Sequence, residues 1–306
     1  MTKTESNILL FSITLCWASS YIFIKSMPPE LSTFAYLTLI TGIAALLLVV
    51  VFFRQLKQVR LGTVKSAFVL SLILTVTLLA EKKGVELLPS SNASFLAALT
   101  ILVVPLLMLL FRKKPTTNNM VGATVIVLGL CLTNRFSLSA FLNRGTVFML
   151  VSCFCAAVYI IAADRYTKRE NPLLIGVLQM VFTALLGFVL WLLENPRTFF
   201  TINYTNELLS SIFIMAFFTK AYAYIVLMFS QKYADPMSVT VIAATEPVVT
   251  LFLAVLIPVA YGNQETLNIF SLCGAMMITA GAVIAGTNFL HSRKRADTEV
   301  AVSDCQ

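Results

Sequence analysis

Long uncharged apolar runs recur along this sequence and alternate with short polar segments. Residues 66–80 form one such run without a single charge. A helix needs about 20 predominantly apolar residues to cross about 30 Å of hydrocarbon. We predict ten membrane-spanning helices, at residues 7–26, 31–53, 64–87, 91–111, 118–134, 145–163, 172–193, 207–230, 237–259 and 268–290. The joining segments are short, so the predicted fold class is an all-α membrane protein without a soluble domain.

The composition agrees with this pattern. Apolar residues make up 58% of the 306 positions and charged residues 12%, and the mean hydropathy is +0.89. An average soluble domain carries about twice that share of charge. A soluble globular protein is therefore excluded, and membrane lipids are the first partner that the composition predicts.

The basic residues lie mainly on one side of the predicted helices. Fifteen of the 22 Lys and Arg residues fall in the N-terminus, the alternate loops or the C-terminal segment, whereas the opposite loops hold only Arg135, Arg144 and Arg197. Because cytoplasmic loops collect Lys and Arg, both termini are predicted to be cytoplasmic in a multi-pass protein of the cell (inner) membrane. The net charge of +8 is then explained by the orientation of the chain in the membrane, and no nucleic-acid partner is expected.

The sequence contains an internal repeat. Gly122-Ala123 followed by Gly129 is matched by Gly274-Ala275 followed by Gly281. In the same alignment, Pro105 corresponds to Pro247, and LCWASSYIFI lies over CFCAAVYIIA, which places Tyr21 on Tyr159. Each half has five predicted spans, and an odd number inserts the second half upside down. The predicted organisation is a 5+5 inverted repeat, with repeats at residues 1–135 and 136–291 and a cytoplasmic tail at 292–306.

Three segments carry a resemblance to a known family. They are WASSYIFIK at Trp17 to Lys25, GVELLPSSNASFLAAL with VVPLL at Gly84 to Leu107, and SQKYADPMSVTVIAATEPVVTLFLAV at Ser230 to Val255. The chain resembles the drug/metabolite transporter superfamily, EamA branch, over about residues 7 to 290. The resemblance implies secondary transport of a small molecule, in a family whose substrates include amino acids, other metabolites, nucleotide sugars and drugs. Members often carry an arginine early in the second span, and TFAYLTLITG has none.

Two ionisable residues stand near the middle of predicted spans. A charge at that depth costs about 2.5 to 3.5 kcal/mol, so it needs a partner, a water-filled cavity or a function. Counted from the inner ends of their helices, Lys220 lies about 15 Å deep and Glu246 about 13 to 14 Å deep. Either the two neutralise each other, or they take part in the chemistry of a cavity. Phe213, Phe217 and Tyr224 flank Lys220 at helical spacing and could bind an apolar moiety or simply pack.

The segment LLAEKKGVELLP, at Leu78 to Pro89, raises the same question at the outer end of the third span. Helical periodicity places Lys82 and Glu86 on a polar face that is predicted to reach the outer mouth of a cavity. Glu81 points away from that face and needs a partner of its own. A solvated helix end is the alternative for Lys83 and Glu86.

Further polar and aromatic residues are candidates for the lining of a central cavity. They are Trp17, Tyr21, Tyr159 and Gln179. Pro105 and Pro247 are candidate hinges, because each removes a backbone donor and frees the carbonyl four residues earlier. Simple kinked packing is the alternative for both prolines.

Enzymatic patterns are missing from the sequence. The only histidine is His291, and no zinc-protease, serine-hydrolase or P-loop motif occurs. We therefore expect no enzyme activity, no metal site and no cofactor. If transport is coupled to protons, Glu246 and Glu81 are the carboxylates available to carry them.

The predicted function is a secondary transporter that works by alternating access through a central cavity. Its expected substrate is a small polar or amphipathic metabolite, with an amino acid or related compound moved outward as the specific expectation. One alternative is a multidrug or cationic exporter of the same fold. Another is a membrane-embedded enzyme or a lipid scramblase, which a lateral groove open to lipid or a cluster of polar residues at the headgroup level would favour. The sequence leaves monomer and homodimer open.

Overall fold

The computed structural model describes residues 3–110, 117–133, 143–195, 197–234, 236–257 and 268–286. Within these ranges every regular element is a helix, and two helices are broken into parts a and b. The bounds are α1 Lys3–Lys25, α2 Thr33–Leu56, α3 Leu61–Leu87, α4a Ser90–Ala97, α4b Thr100–Leu110, α5 Thr117–Thr133, α6 Arg144–Thr167, α7 Pro172–Glu194, α8 Asn206–Tyr233, α9a Pro236–Ala243, α9b Glu246–Leu256 and α10 Ile269–Gly286. A one-turn helix, Thr198–Thr201, precedes α8.

A helix occurs at the place of each predicted span. Among the described residues, eight helical segments are long and apolar enough to cross a membrane, while α5 and α10 are shorter apolar helices. The chain is thus an all-helical integral membrane protein, and ten crossings stay a prediction. The predicted tail at 292–306, together with Arg135 and His291, lies outside the described residues, so the cytoplasmic position of the termini also stays a prediction.

Local sequence explains where several helices begin. Ser32 accepts a hydrogen bond from the amide of Ala35 at the start of α2, at 3.1 Å, and Thr205 caps α8 through the amide of Leu208 at 3.2 Å. Asn171 caps α7 and is followed by Pro172, whose fixed φ suits the first position of a helix. Polar capping residues therefore end the short loops and start the next apolar helix.

The outer surface of the helix bundle is apolar. Leu46, Val50, Leu106, Leu193 and Phe213 are all exposed, and many similar side chains share this surface. Soluble monomers rarely expose contiguous apolar patches of this kind. This surface fits hydrocarbon as its solvent.

The repeated glycines meet each other between α5 and α10. A Cβ atom added to Gly129 would lie 2.9 Å from the carbonyl oxygen of Gly274, and one added to Gly281 would lie 2.7 Å from that of Gly122. Gly122 and Gly274 are equivalent in the repeat, as are Gly129 and Gly281. The two contacts are therefore exchanged by a pseudo-twofold axis that runs between the helices.

The remaining helix pairs follow the same symmetry. Helix α2 packs on its counterpart α7, α4a packs on α9b, and α4b packs on α9a. Helix α3 packs on α6, and its counterpart α8 packs on α1. The two halves thus form one bundle in which each of these helix pairs joins one repeat to the other.

The close approach of α5 and α10 can be tested with one added methyl group. A Cβ at Gly274 would lie 2.0 Å from the hydroxyl oxygen of Thr133 and 2.8 Å from a backbone carbonyl, so the helices must separate. We expect Gly274→Ala to lower the free energy of unfolding by about 1–3 kcal/mol, measured as a lower thermal unfolding midpoint in detergent. Gly42→Ala is the matched control, because a Cβ there meets nothing within 4 Å. Equal midpoints for the two variants would contradict the packing.

Candidate functional site

A central cavity of about 110 Å³ lies at the interface between the two halves. Residues from α1, α3, α4, α6, α8 and α9 surround it. Its lining includes Trp17, Tyr21, Leu74, Thr77, Glu81, Ala97, Ala98, Thr100, Ser152, Cys153, Ala156, Tyr159, Ile160, Lys220, Tyr224, Leu227, Thr240, Ala243, Ala244 and Glu246. A mostly apolar wall with a few polar groups is typical of small-molecule sites.

A π-helical segment places Lys220 in this cavity. Helix α8 changes from α to π geometry at Met215–Tyr222 and returns to α geometry at Ala223. Such segments are rare and concentrate at functional sites. Lys220 lies inside the segment, is buried, and has its ammonium 5.7 Å from the ring centre of Tyr224.

The π segment also overturns the predicted aromatic face of Lys220. Phe213 and Phe217 stack on each other, with ring centroids 6.4 Å apart, and both are exposed on the outside of α8. Because π geometry adds residues to each turn, the residue three positions before Lys220 rotates off its face. Phe217 therefore lies outside the lining of the cavity, and Tyr224 is the predicted neighbour that remains.

Glu246 occupies the first turn of α9b, where the helix begins again after a break. Its side chain is buried and lines the cavity together with Tyr21, with which it interacts electrostatically. A carboxylate in the first helical turn is also stabilised by the positive end of the helix dipole. The sequence pairs Tyr21 with Tyr159 through the repeat, and the structure places both in the same cavity.

Glu81 is the third ionisable group in the cavity. It faces Lys220 and Glu246 closely enough to interact electrostatically with both. Within the described residues, no direct ion pair joins Lys220 to either carboxylate. The structure therefore does not show the predicted alternative of a tight Lys220–Glu246 pair, and all three side chains line the cavity.

Aromatic rings form one side of the cavity. The ring of Tyr224 packs between those of Trp17 and Tyr159, with centroid distances of 5.9 Å and 6.0 Å. The indole nitrogen of Trp17 is buried and has no hydrogen-bond partner in the described part of the chain. A buried polar group without a partner is rare, and a ligand acceptor would satisfy this one.

Two of the predicted site residues lie behind or beside the cavity. Gln179 is fully buried and accepts a hydrogen bond of 2.9 Å from the hydroxyl of Tyr159, so it supports a lining residue from behind. Lys82 is buried on another face of α3, where it pairs with Glu86 and lies 5.1 Å from the ring centre of Tyr36. Lys82, which is predicted to reach the outer mouth of the cavity, is not among its lining residues, because one helical position separates it from Glu81 by about 100°.

Both broken helices have their breaks at the cavity. Helix α9 breaks at Ala244 and Thr245 and begins again at Glu246, one residue before Pro247, as the loss of a backbone donor predicts. Helix α4 breaks at Ala98 and Leu99 and continues through Pro105, which lies inside α4b. The break in α4 therefore lies about two turns before Pro105, at the level of the cavity.

Several residues that line the cavity were not predicted from the sequence. Thr77 lies one turn before Glu81, and Ser152 lies two turns before Tyr159, so helical spacing from these candidates could have found them. Ser152 donates a hydrogen bond of 3.1 Å to the carbonyl of Thr77 and joins α6 to α3. No signal in the sequence pointed to Thr100 or Cys153, whose side chains approach to 3.3 Å at the break in α4.

The support of Tyr159 by Gln179 can be measured with a double-mutant cycle. We expect Tyr159→Phe and Gln179→Leu to show a coupling energy of about 0.6 kcal/mol, the average for hydrogen bonds between membrane helices. The measurement is the free energy of unfolding of the two single variants and the double variant in mixed micelles. Thr183→Val supplies the matched control cycle, because the buried hydroxyl of Thr183, one turn along α7, has no partner among the described residues. A coupling with Thr183 as large as that with Gln179 would contradict the assignment.

Comparisons with known proteins agree on the fold. A protein of known crystal structure is similar over 93% of this chain and 98% of its own, with a TM-score of 0.70 and 16% sequence identity. That likeness shows the fold alone. No curated protein matches the sequence significantly. The model of the EamA-like transporter family matches twice, over residues 5–135 and 143–287, and this two-repeat match covers most of the sequence. The chain therefore belongs to the EamA-like transporter family.

Proposed function

We propose that this protein is a secondary transporter that moves an amino acid or a related small metabolite outward across the cell membrane. The observation that carries the proposal is the cavity at the interface of the two repeats. It holds Lys220, Glu81 and Glu246 near one another without a direct ion pair. Buried charges that do not pair directly are costly unless they serve a function, and they mark substrate and ion pathways in membrane proteins.

The side chains of the cavity suit a zwitterion. The ammonium of Lys220 offers donors to a substrate carboxylate, and the indole N–H of Trp17 offers another. The carboxylates of Glu81 and Glu246 offer acceptors to a substrate ammonium. The rings of Tyr159 and Tyr224 provide an apolar surface for the substrate side chain. Each end of an amino acid thus has a complementary group.

The broken helices support alternating access. In transporters built from inverted repeats, discontinuous helices meet at the substrate site, and one repeat rocks against the other. Here the breaks in α4 and α9 both lie on the cavity wall. We propose that these breaks, together with Pro105 and Pro247, are the hinges of the transport cycle.

The charge balance of the cavity supports proton coupling. Two carboxylates face one ammonium, so full ionisation leaves one unbalanced negative charge in a low-dielectric site. A proton on Glu81 or Glu246 would remove that charge, as would a cationic substrate. We propose a proton as the coupling ion, with no other cofactor.

The same imbalance favours a second function, the export of cationic compounds. In that case the positive substrate would supply the balancing charge and Lys220 would oppose its binding. The two functions therefore predict opposite effects of removing the ammonium of Lys220. Family membership favours transport over catalysis in both cases.

We expect Lys220→Met and Glu246→Gln each to lower kcat/KM for a transported amino acid by about 10- to 100-fold, because a hydrogen bond to a charged group is worth about 1.5–3 kcal/mol. The measurement is uptake of a panel of labelled amino acids and other metabolites into proteoliposomes. Glu207→Gln is the matched control, because Glu207 is exposed in the first turn of α8, outside the cavity lining, and should leave transport unchanged. If no solute moves, or if both cavity variants match the wild type, the proposed function fails.

A pH gradient tests the coupling, and the Lys220→Met variant separates the two candidate functions from each other. We expect the wild-type protein to accumulate substrate only with an imposed proton gradient, and Glu81→Gln with Glu246→Gln to abolish that dependence.

For a cation exporter, Lys220→Met should leave the transport of a cationic dye intact or faster. For an amino-acid transporter, the same variant should lose amino-acid transport and gain nothing with the dye.

A further inference from the structure

A second, larger cavity lies on the other face of α6. It is a lateral groove of about 960 Å³ between α4b, α6 and α9a. Phe154, Val158, Ile161 and Arg165 lie in this groove at the spacing of one helical face. Cys153, Tyr159 and Ile160 point from the opposite face of α6 into the central cavity. The groove is therefore separate from the proposed substrate site.

The walls of the groove are apolar and its polar residues gather at one end. Met108 of α4b and Met237 of α9a face Phe154 and Val158 across it, and all four are exposed or partly buried. Its charged residues all lie within the last turns of α6 and the residues that follow, at positions 164–169. The groove thus has a long apolar part and one charged rim.

The rim carries positive charge that the described residues do not neutralise. Lys168 is bound to Asp164 at 2.6 Å, and the neighbouring carboxylate of Glu170 accepts a hydrogen bond of 2.8 Å from Thr63. Arg165, in the last turn of α6, and Arg169, just past its end, are exposed, and their guanidinium groups have no partner in the described part of the chain. Two guanidinium groups at this spacing are suited to bind the oxygens of one phosphate.

We propose that this groove binds one anionic phospholipid. Its phosphate would lie on Arg165 and Arg169, and an acyl chain would lie along Phe154, Val158 and Met237. Basic pockets between membrane helices bind anionic headgroups in this way. The headgroup and the acyl chain of the lipid then each lie against a complementary surface. The apolar walls distinguish this site from a site for a free phosphate ion.

The groove does not suit a lipid scramblase. Moving a headgroup across the bilayer requires polar side chains along the whole path, because a charge in hydrocarbon is costly. The charged residues that line the groove within the described chain lie at its rim alone. The lipid would therefore stay in one leaflet.

Native mass spectrometry of the full chain can test the proposal, with phosphatidylglycerol and phosphatidylcholine of identical acyl chains as the probes. We expect the wild-type protein to bind phosphatidylglycerol more tightly than phosphatidylcholine. In the double variant Arg165→Gln with Arg169→Gln, the affinity for phosphatidylglycerol should fall about tenfold, and the preference for it over phosphatidylcholine should fall by the same factor. Arg54→Gln with Lys57→Gln, which removes two exposed charges from the end of α2, should behave as the wild type. Val158→Trp should weaken both lipids, because it fills the apolar part of the groove.

Several results would overturn the proposal. Equal affinity for phosphatidylglycerol and phosphatidylcholine would contradict a site specific for the anionic headgroup. Equal losses of lipid affinity in the two double variants would indicate general electrostatic attraction. Competition by inorganic phosphate at the same concentration would show a free-anion site. Circular dichroism tests whether each variant is folded. If the Arg165 and Arg169 variant does not fold, unchanged lipid affinity of Val158→Trp still refutes the site.

Discussion

The cost of placing charge in hydrocarbon governs the centre of this protein. Glu81, Lys220 and Glu246 come from three different helices, and each alone would oppose insertion into the bilayer. Around the cavity each finds opposite charge, a hydroxyl or a helix terminus nearby. The first turn of α9b stabilises Glu246, and the ring of Tyr224 lies beside the ammonium of Lys220. The cavity therefore depends on α1, α3, α8 and α9 being held in register.

That register depends on the packing between the repeats. Gly129 and Gly274 allow the backbones of α5 and α10 to come into contact. Their equivalents in the repeat, Gly281 and Gly122, do the same about two turns along the helices. Small residues give membrane helices close van der Waals contact, which replaces the hydrophobic effect within lipid. The contact lies away from the ionisable groups, so the packing of the repeats and the chemistry of the cavity occupy different helices.

Helix α6 presents different chemistry on its two faces. One face supplies Cys153 and Tyr159 to the central cavity, and the other supplies Phe154 and Val158 to the lateral groove. Because one turn of a helix contains 3.6 residues, each turn contributes residues to both faces. Under the two proposals, this helix touches the solute on one side and a lipid on the other.

The sequence by itself determined the helices, the internal repeat and the family, because apolar run length and repeated residues are local properties of the chain. It also singled out Glu81, Lys220 and Glu246, since charge within an apolar run is visible without a structure. Only the tertiary structure decided that Glu81 faces the other two while Lys82 does not, because the rotation of α3 about its axis is set by its neighbours. The π segment of α8 and the break in α4 likewise arise where packing and a cavity replace regular helical hydrogen bonds, and no local pattern in the sequence records that exchange.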